Sequence, residues 1–462
     1  MAQGRFLTGS TMGHVARMTA TGALGITFVF LVDAANLFWI SQLGDARLVA
    51  AIGFAFAIQF FSVSSGVGLM IAATALVSRS IGQGAQGEAR RQSGSAVVFG
   101  FVMQGLVAGL VFVFRYDILA LAGATGDTLH LAARYLAMTL PSLSVMVVGL
   151  VASGVLRAEG DGRRAMMVTV CSGSVSIFVD PLLILGLGWG LDGAALGLNI
   201  SRVVLMGAAL VFATRVHDLI AWPRWDDAKR HFGPFAAIAV PAILTQMATP
   251  FGNYVLTSVL AQFGDEAVAG WAVVSRLTVV AFGGIFALSG AIGGILGQNF
   301  GAGQYDRLTL IYRDAMVFCI CYTLAVWAVL ALSAEAVGAA FALTPDGLGI
   351  LRAFTDIGAG AFLFTGAFFV ANAAFNTLGK PARATVLTWV RDGALTLPVA
   401  IWMAGVFGAV GVIYAQAALS ASVGSLAALW GWHFVKNIGT APPQVDLTTR
   451  RAWRDINRFR RR

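Results

Sequence analysis

Twelve apolar runs, most of them about 20 residues or longer, divide this 462-residue chain and limit what it can fold into. A run of that length matches the hydrocarbon core of a bilayer, which is about 30 Å thick. Inside lipid the backbone must satisfy its own hydrogen bonds, so each run is expected to be helical. Charged residues make up only 11% of the chain, against about 25% in soluble proteins, which excludes an ordinary water-soluble enzyme. The pattern predicts an all-α membrane protein with twelve transmembrane helices, at residues 15–40, 48–77, 94–114, 131–155, 165–188, 193–214, 235–261, 267–297, 312–333, 351–378, 384–405 and 410–434.

The basic residues are concentrated in alternate connections between these spans. Most of the 31 Lys and Arg residues fall on one side, at Arg5, Arg17, Arg79, Arg90, Arg91, Arg157, Arg163, Arg164, Arg215, Arg224, Lys229, Arg230, Arg307, Arg313, Lys380, Arg383, Lys436 and the tail from Arg450 to Arg462. By the positive-inside rule both termini are expected in the cytoplasm, which requires an even number of spans. The sequence therefore predicts a multi-pass protein of the inner (plasma) membrane. Its net charge of +9 fits contact with membrane lipids and requires no nucleic acid.

The chain repeats itself at an offset of about 219 residues. Gly82 and Gly301 share this register, as do Gly160 and Gly379 and also Arg164 and Arg383. Two copies of six helices each have the same sidedness, so they are expected to be related by an axis along the membrane normal. Transporters built in this way hold their substrate path between the two copies.

The repeat predicts four segments. A first six-helix lobe occupies residues 1–214, and a second occupies residues 235–434. Between them, residues 215–234 mix Trp, His and charged side chains, which is typical of a cytoplasmic linker at the membrane interface. Residues 435–462 form a basic cytoplasmic tail.

Five pieces of sequence, in order and in two copies, resemble the multidrug and toxic compound extrusion (MATE) family. They are LVDAANLFWISQLGDARLVAA, SRSIGQGAQGEARR, SGVLRAEGDGRRA, VSIFVDPLLILGLGWGLDGAALG and GQNFGAGQYDR. The resemblance extends over nearly all twelve spans. It implies a V-shaped pair of six-helix lobes that exports organic cations or other xenobiotics in exchange for protons or sodium.

Two aspartates in the middle of predicted spans are the candidate ion-coupling residues. A carboxylate at the centre of a membrane helix costs ~2.5–3.5 kcal/mol on insertion scales, so function is its default explanation. Asp33 in the first span and Asp180 in the fifth lie ~27 and ~23 Å from the cytoplasmic ends of their helices at 1.5 Å per residue. Both match the acidic positions that the MATE resemblance connects with uptake of protons or a cation. The alternative is that each carboxyl only forms hydrogen bonds between helices.

Three polar residues are expected near these acids: Asn36 three residues after Asp33, Ser176 one turn before Asp180, and Asn199 in the sixth span. Where the family often has Asn before the helix 5 aspartate, this chain has Ser176. No metal site is predicted beyond a monovalent cation at Asp33 and Asp180, and no cofactor is expected. Protons are favoured over sodium as the coupling ion.

The second lobe has no acids where some sodium-driven members of the family place them, since Thr249 or its neighbours occupy the first of those positions and Thr365 occupies the second. Arg391 and Asp392 lie a third of the way into the eleventh span, where a packed polar network or a cytoplasmic gate is favoured over the alternative of a drug site. Asp356, near the outer end of the tenth span, is the remaining candidate for that network. Arg202 and Arg276 are interpreted as structural or gating cations.

The sequence favours an antiporter over the other classes of function. It has no Walker-type, HExxH or GxSxG motif, so neither ATP-driven transport nor an enzyme is indicated. Cys171, Cys319 and Cys321 all lie inside apolar runs, which supports neither a disulfide framework nor a zinc cluster. We expect a monomer that binds small organic cations and drugs. The alternatives are a flippase for a lipid-linked saccharide, from the same superfamily, and a scaffold or receptor that does not transport.

Overall fold

The computed structural model describes residues 4–341 and 343–439, apart from the side chain of Ala46. The described part is helical and contains no strand. Of the predicted basic tail at 435–462, residues 440–462 lie outside the described residues. The helices are α1 (Thr11–Ser41), α2 (Ala46–Gly82), α3 (Gln86–Val113), α4 (Arg115–Leu121), α5 (Gly126–Thr139), α6 (Ser142–Glu159), α7 (Gly162–Pro181), α8 (Gly190–Val211), α9 (Trp225–Leu260), α10 (Asp265–Ala281), α11 (Gly283–Gly301), α12 (Tyr305–Ala340), α13 (Pro345–Ala353), α14 (Ala359–Thr377), α15 (Pro381–Thr388), α16 (Thr396–Phe407) and α17 (Val410–Asn437).

The helices give the number of membrane spans that the sequence predicts. In the described ranges, eleven helical stretches are long and apolar enough to cross a bilayer. A twelfth span comes from α10 and α11, which are bent by 46° relative to each other at Phe282. The predicted fold class of a twelve-helix, all-α membrane protein is therefore confirmed.

Two predicted spans differ in detail from the structure. The span predicted at 131–155 is interrupted, because α5 ends at Thr139 and α6 begins at Ser142. Pro141 lies in the break and lacks the amide hydrogen that a continuous helix would need there. The span predicted to begin at residue 235 starts earlier, since α9 already includes Trp225. Part of the segment predicted as a linker is thus helical.

Two helices in equivalent positions, α2 and α11, form the contact between the halves. The first half of the chain comprises α1–α8 and the second half α9–α17. Helix α2 packs against α9 and α11 of the second half, and α11 also packs against α1. A Cβ atom at Gly82 would overlap the carbonyl oxygen of Gln298, and one at Gly301 would overlap that of Arg79. The two glycines of the repeat are therefore the points where the helices cross, and small residues allow this close approach.

Two hydrogen bonds between the halves follow the same repeat. The Arg79 guanidinium donates to the carbonyl oxygen of Thr377, with Nε 2.7 Å away. The Gln298 amide donates to the carbonyl oxygen of Ala158 over 2.6 Å. Both the donors and the acceptors are separated by 219 residues, so each bond is the counterpart of the other. We call these four residues the clasp, and it joins the basic ends of the two halves.

The segment before α1 lies against the clasp. The amide nitrogen of Phe6 donates to Gln298 Oε1 over 3.0 Å. In return, Asn299 Nδ2 and Arg307 Nη2 donate to the carbonyl oxygen of Phe6, over 3.2 and 3.1 Å. Phe6 is only 2% exposed. Arg307 Nη2 also donates to the carbonyl oxygen of Gly9 over 3.2 Å. This segment of the first half is therefore held on the second half by four hydrogen bonds and a buried ring.

Candidate functional site

Asp180 lies at a distortion near the end of α7. Pro181 follows it, and the chain continues as a π-helical turn at Leu182–Gly186, a feature that often occurs at functional sites. The carboxyl is 2% exposed, and Asn36 Nδ2 of α1 donates to its Oδ2 over 2.9 Å. Its Oδ1 has no hydrogen-bond partner among the described residues. Oδ1 lies against the backbone of α8 at Gly197, where a Cβ would overlap it.

Asp33 lies on α1 one turn before Asn36, the residue that binds Asp180. Its side chain is exposed. It has two charged neighbours, Arg202, which attracts its carboxylate, and Asp180, which repels it. Over the described part of the chain, neither Asp33 nor Asp180 forms an ion pair within 4.0 Å. The structure thus connects α1 to Asp180 through Asn36, and Asp33 lies one turn before Asn36 on the same helix. We call Asp33, Asn36 and Asp180 the acidic site.

The other two predicted neighbours have different surroundings. Ser176 is buried on α7, one turn before Asp180, but the hydrogen bond to the carboxyl comes from Asn36. Asn199 belongs to a separate set of polar contacts. Its Oδ1 accepts a hydrogen bond from Ser142 Oγ over 2.6 Å, and its Nδ2 donates to the carbonyl oxygen of Met138 over 3.0 Å.

Arg202 is the centre of that polar set. It is 5% exposed, and its Nη1 donates to the carbonyl oxygen of Thr139 and to Ser142 Oγ over 2.6 and 2.8 Å. Its Nη2 donates to Gln59 Oε1 over 2.8 Å. The break at Pro141 leaves the Thr139 carbonyl free to accept, so a backbone irregularity holds the arginine. The sequence indicated Arg202 as a structural or gating cation but not these partners, because they come from α2, α5 and α6.

The second half contains a cavity of about 210 Å³ between its helices. Arg391 and Asp392 line it from a π-helical segment at Trp389–Leu395. The two side chains form an ion pair, with Nε and Oδ1 2.6 Å apart and Nη2 and Oδ2 3.1 Å apart. Thr249 and Thr365 also line this cavity, so hydroxyl groups occupy the positions at which the sequence lacks acids. This cavity was not among the features predicted from the sequence.

Asp356 and Arg276 are placed apart from this ion pair. Asp356 lies in another π-helical turn, Phe354–Gly358, and is exposed. Arg276 is exposed on α10. Neither residue lines the cavity. The predicted network is therefore a pair of Arg391 and Asp392, and Asp356 is not in contact with it.

A proton or one monovalent cation is the inorganic ligand that the acidic site could hold. Two carboxylates and one amide oxygen are the hard oxygen donors available there. Within the part of the chain that the structure describes, no group of three or more His, Cys, Asp or Glu residues is arranged to bind a metal ion.

Comparison with known proteins places the chain in one family. The family model MatE matches residues 23–182 and 241–402. A protein of Shewanella oneidensis named FAD transporter is 27% identical over 417 residues, which are 88% of this chain and 92% of that protein. The multidrug export protein MepA of Staphylococcus aureus is 25% identical over 396 residues, covering 85% of this chain and 87% of MepA.

Solved structures agree with the fold. A mutant of the Vibrio cholerae MATE transporter VcmN has a TM-score of 0.85 at 24% identity, covering 92% of this chain and 96% of VcmN. An outward-facing multidrug resistance MATE transporter has a TM-score of 0.88 at 22% identity, covering 96% of this chain and 99% of the other. The family model covers well over half of the sequence in two blocks, one in each half. The chain therefore belongs to the MatE family and is a multi-pass integral membrane transporter of the MATE type.

Proposed function

We propose that this protein is a secondary antiporter that exports amphipathic organic cations in exchange for protons, and that Asp33 and Asp180 couple the two fluxes. The observation that carries the proposal is the acidic site itself. Asp180 is buried with Oδ1 unpartnered among the described residues, beside a second carboxyl, Asp33. Arg202 is the nearby cation, but its guanidinium is hydrogen-bonded to neutral groups. The negative charge of the site is therefore available to a mobile ion.

Competition for that charge accounts for exchange. When both carboxyls are ionised, the site attracts either protons or a cationic cargo, because opposite charges attract strongly in a low-dielectric interior. A proton that enters from outside neutralises one carboxyl and weakens the hold on the cargo. Protons are driven inward by ~2.3 kcal/mol per 100 mV of membrane potential. Sodium could fill the same site, and ion replacement separates the two ions.

The orientation of the protein is part of this proposal. We place both termini and the linker at 215–234 in the cytoplasm, between lobes at 1–214 and 235–434. The basic end would then be cytoplasmic, and the clasp would close it. In that orientation the clasp closes the cytoplasmic end, and it must break before cargo enters from the cell.

The relatives support export of small molecules, and they differ in cargo. MepA is named as a multidrug export protein, which fits the proposed cargo. Export of FAD is a second candidate function, because a relative bears that name and because Arg391 in the second half provides a buried guanidinium able to bind phosphate. Flipping of a lipid-linked saccharide would call for a strongly cationic cavity, whereas Arg391 is the only basic residue among the described residues that line this one.

Transport by purified protein in liposomes tests the proposal. We expect an imposed pH gradient to drive movement of ethidium across the membrane, and a sodium gradient without a pH gradient to drive little. The variants Asp33→Asn and Asp180→Asn should each reduce proton-driven transport, and the double variant should abolish it. Asp346→Asn, which changes an exposed acid at the start of α13, is the matched control. Proton-driven transport that persists in the double variant would disprove the coupling role. Vesicles loaded with FAD test the second candidate.

A further inference from the structure

The guanidinium of Arg391 has one nitrogen that the protein leaves unused. Its Nε and Nη2 donate to Asp392, whereas Nη1 has no hydrogen-bond partner in the described residues and no exposed surface. The residue as a whole is 7% exposed and lines the second-half cavity. A buried donor without a partner is costly, about 1–3 kcal/mol and more for a charged group. Such a group in the wall of a cavity is well suited to bind an acceptor on a ligand.

The surroundings of Arg391 fix its orientation. Its guanidinium carbon lies 4.1 Å from the centre of the Phe368 ring, and Asp392 holds the Nε edge. Thr249 Oγ1 donates to Asp392 Oδ2 over 3.4 Å. One face and one edge of the guanidinium are therefore occupied by the protein. Nη1 is the remaining donor, and an anionic oxygen that displaces the atoms covering it would form a charge-assisted hydrogen bond there.

The rest of the cavity wall suits a flat apolar body. Trp271, Phe286, Phe362 and Phe369 line it, and aromatic rings bind other rings by stacking or edge-to-face contact. The polar lining includes Asn253 and Gln416. A pocket that combines aromatic side chains with a few fixed polar groups is the usual form of a small-molecule site.

We propose that this cavity is an anion subsite, in which Arg391 Nη1 binds the carboxylate or phosphate oxygen of an aromatic cargo. The anion subsite extends the proposed export function, and it rests on that function because a cargo site is relevant only in an exporter. It implies that zwitterionic and anionic aromatic compounds belong to the cargo class, with the acid bound in the second half. The acidic site of the first half is then free to hold a proton or an amine.

Equilibrium binding of a matched ligand pair tests the subsite. We would measure calorimetrically the binding of 2-naphthoate and of the neutral, nearly isosteric 2-naphthamide to the full chain, without any ion gradient, in phosphatidylcholine nanodiscs. We expect 2-naphthoate to bind about 10-fold or more tightly than 2-naphthamide, because a hydrogen bond to a charged group is the stronger one. Equal affinities would overturn the anion assignment. Displacement of 2-naphthoate by added phosphatidylglycerol at low concentration would assign Arg391 to a lipid headgroup and contradict an aromatic cargo.

Variants at Arg391 and Asp392, with one control, test the anion subsite further. The double variant Arg391→Gln with Asp392→Asn removes both charges and keeps the volume, and it should lose the preference for 2-naphthoate while keeping 2-naphthamide affinity. Asp392→Asn alone leaves Arg391 without its counter-charge and should strengthen 2-naphthoate binding by about 10-fold. Weaker binding in Asp392→Asn would disprove the role of Arg391. Arg352→Gln, at an exposed ion pair between α13 and Glu335 of α12, is the control and should change nothing.

The same assay separates this subsite from the proposed coupling function. In the variant Asp33→Asn with Asp180→Asn, proton-driven transport should fail while 2-naphthoate binding is retained. If transport depends on the two acids but the ligand pair is not distinguished, the subsite alone is wrong.

Discussion

The two halves of this transporter share a backbone plan but not a polar centre. In the first half, Asp180 is bonded to Asn36 one turn after Asp33, neither acid forms an ion pair within the described residues, and Arg202 is bonded to neutral groups. In the second half, Arg391 and Asp392 are adjacent in the chain and bonded to each other. The acids of the first arrangement are not paired with a counter-charge among the described residues, whereas the charges of the second are paired with each other. This difference is why we propose ion coupling for the first half.

The repeat shows how the second arrangement differs from the first. At an offset of 219 to 220, the counterpart of Asp33 is Gly252 or Asn253. A Cβ at Gly252 would lie 3.0 Å from the Cβ of Asp392, and the counterpart of Asp392 in the first half is Gly173. Asp33 thus has no acidic counterpart in the second half, and Asp392 has none in the first. In the second half, Asp392 lies beside Arg391, with which it is paired.

The largest expected effect concerns stability and separates the two centres directly. Arg391→Ala should lower the free energy of unfolding by about 3–5 kcal/mol, because it leaves Asp392 buried without its partner. Asp180→Asn should change stability by less than about 1 kcal/mol, since Asn keeps the acceptor for Asn36 and leaves no unpaired ion. Thermal unfolding of the purified proteins in detergent measures both. The comparison fails if the two variants are equally destabilised, or if Arg391→Gln combined with Asp392→Asn is as unstable as Arg391→Ala.

A smaller effect is expected at Arg202. Arg202→Lys keeps the charge but cannot reach Thr139, Ser142 and Gln59 together, so we expect a loss of about 2–3 kcal/mol. This loss should appear in thermal unfolding, while the preference of the second-half cavity for 2-naphthoate remains unchanged. Arg276→Lys, on the exposed face of α10, is the matched control and should unfold like the parent protein. If Arg202→Lys were as stable as the parent, the hydrogen bonds of Arg202 would not be what holds the break at Pro141.

The clasp is a feature to which both halves contribute in the same way, and its variants test whether it closes the basic ends. Gln298→Ala should weaken the contact between the halves by about 1–1.5 kcal/mol, which is roughly a 10-fold shift toward separated basic ends. Arg79→Ala should shift them in the same direction and somewhat further, because its hydrogen bond is charge-assisted. Spin labels at exposed Gln83 and Asp306, in a background without native cysteines, would report the change as a longer distance. An unchanged distance distribution in both variants would rule out a closing role for the clasp.

The sequence predicts the fold much better than the sites. Spans and the repeat could be derived because each depends on hydrophobic length or on residues at a fixed offset, such as Gly82 and Gly301. Asp33, Asp180 and Asn36 could be named because a polar residue in a membrane span is costly and three or four residues make one turn. The partners of Arg202 and the cavity at Arg391 could not be derived, because they join side chains from three or more helices. The break at Pro141 became informative only once Arg202 was seen to bind the carbonyl that it frees.

The smallest expected effect is at the start of two equivalent helices. Asp161 is the N-cap of α7, and it accepts hydrogen bonds from the Arg164 amide over 3.0 Å and from His217 Nε2 over 2.8 Å. Its counterpart, Lys380, precedes Pro381 and forms no side-chain cap on α15. Asp161→Ala should therefore cost about 1 kcal/mol of stability, and Lys380→Ala should cost almost nothing.

The pH dependence of this difference has a definite sign. Burial raises the pKa of the Asp161 carboxyl, but the hydrogen bonds from Arg164 and His217 outweigh it and leave the pKa lowered. A lowered folded-state pKa means that the stabilisation is present above the ordinary value of about 3.9 and is lost as the pH falls through the folded-state pKa. The difference in stability between the parent protein and Asp161→Ala, measured by thermal unfolding, should thus be largest at pH 7 and should disappear in strong acid. A gap that widens on acidification would show that Asp161 does not stabilise α7 as a carboxylate, and that the two helix starts differ for another reason.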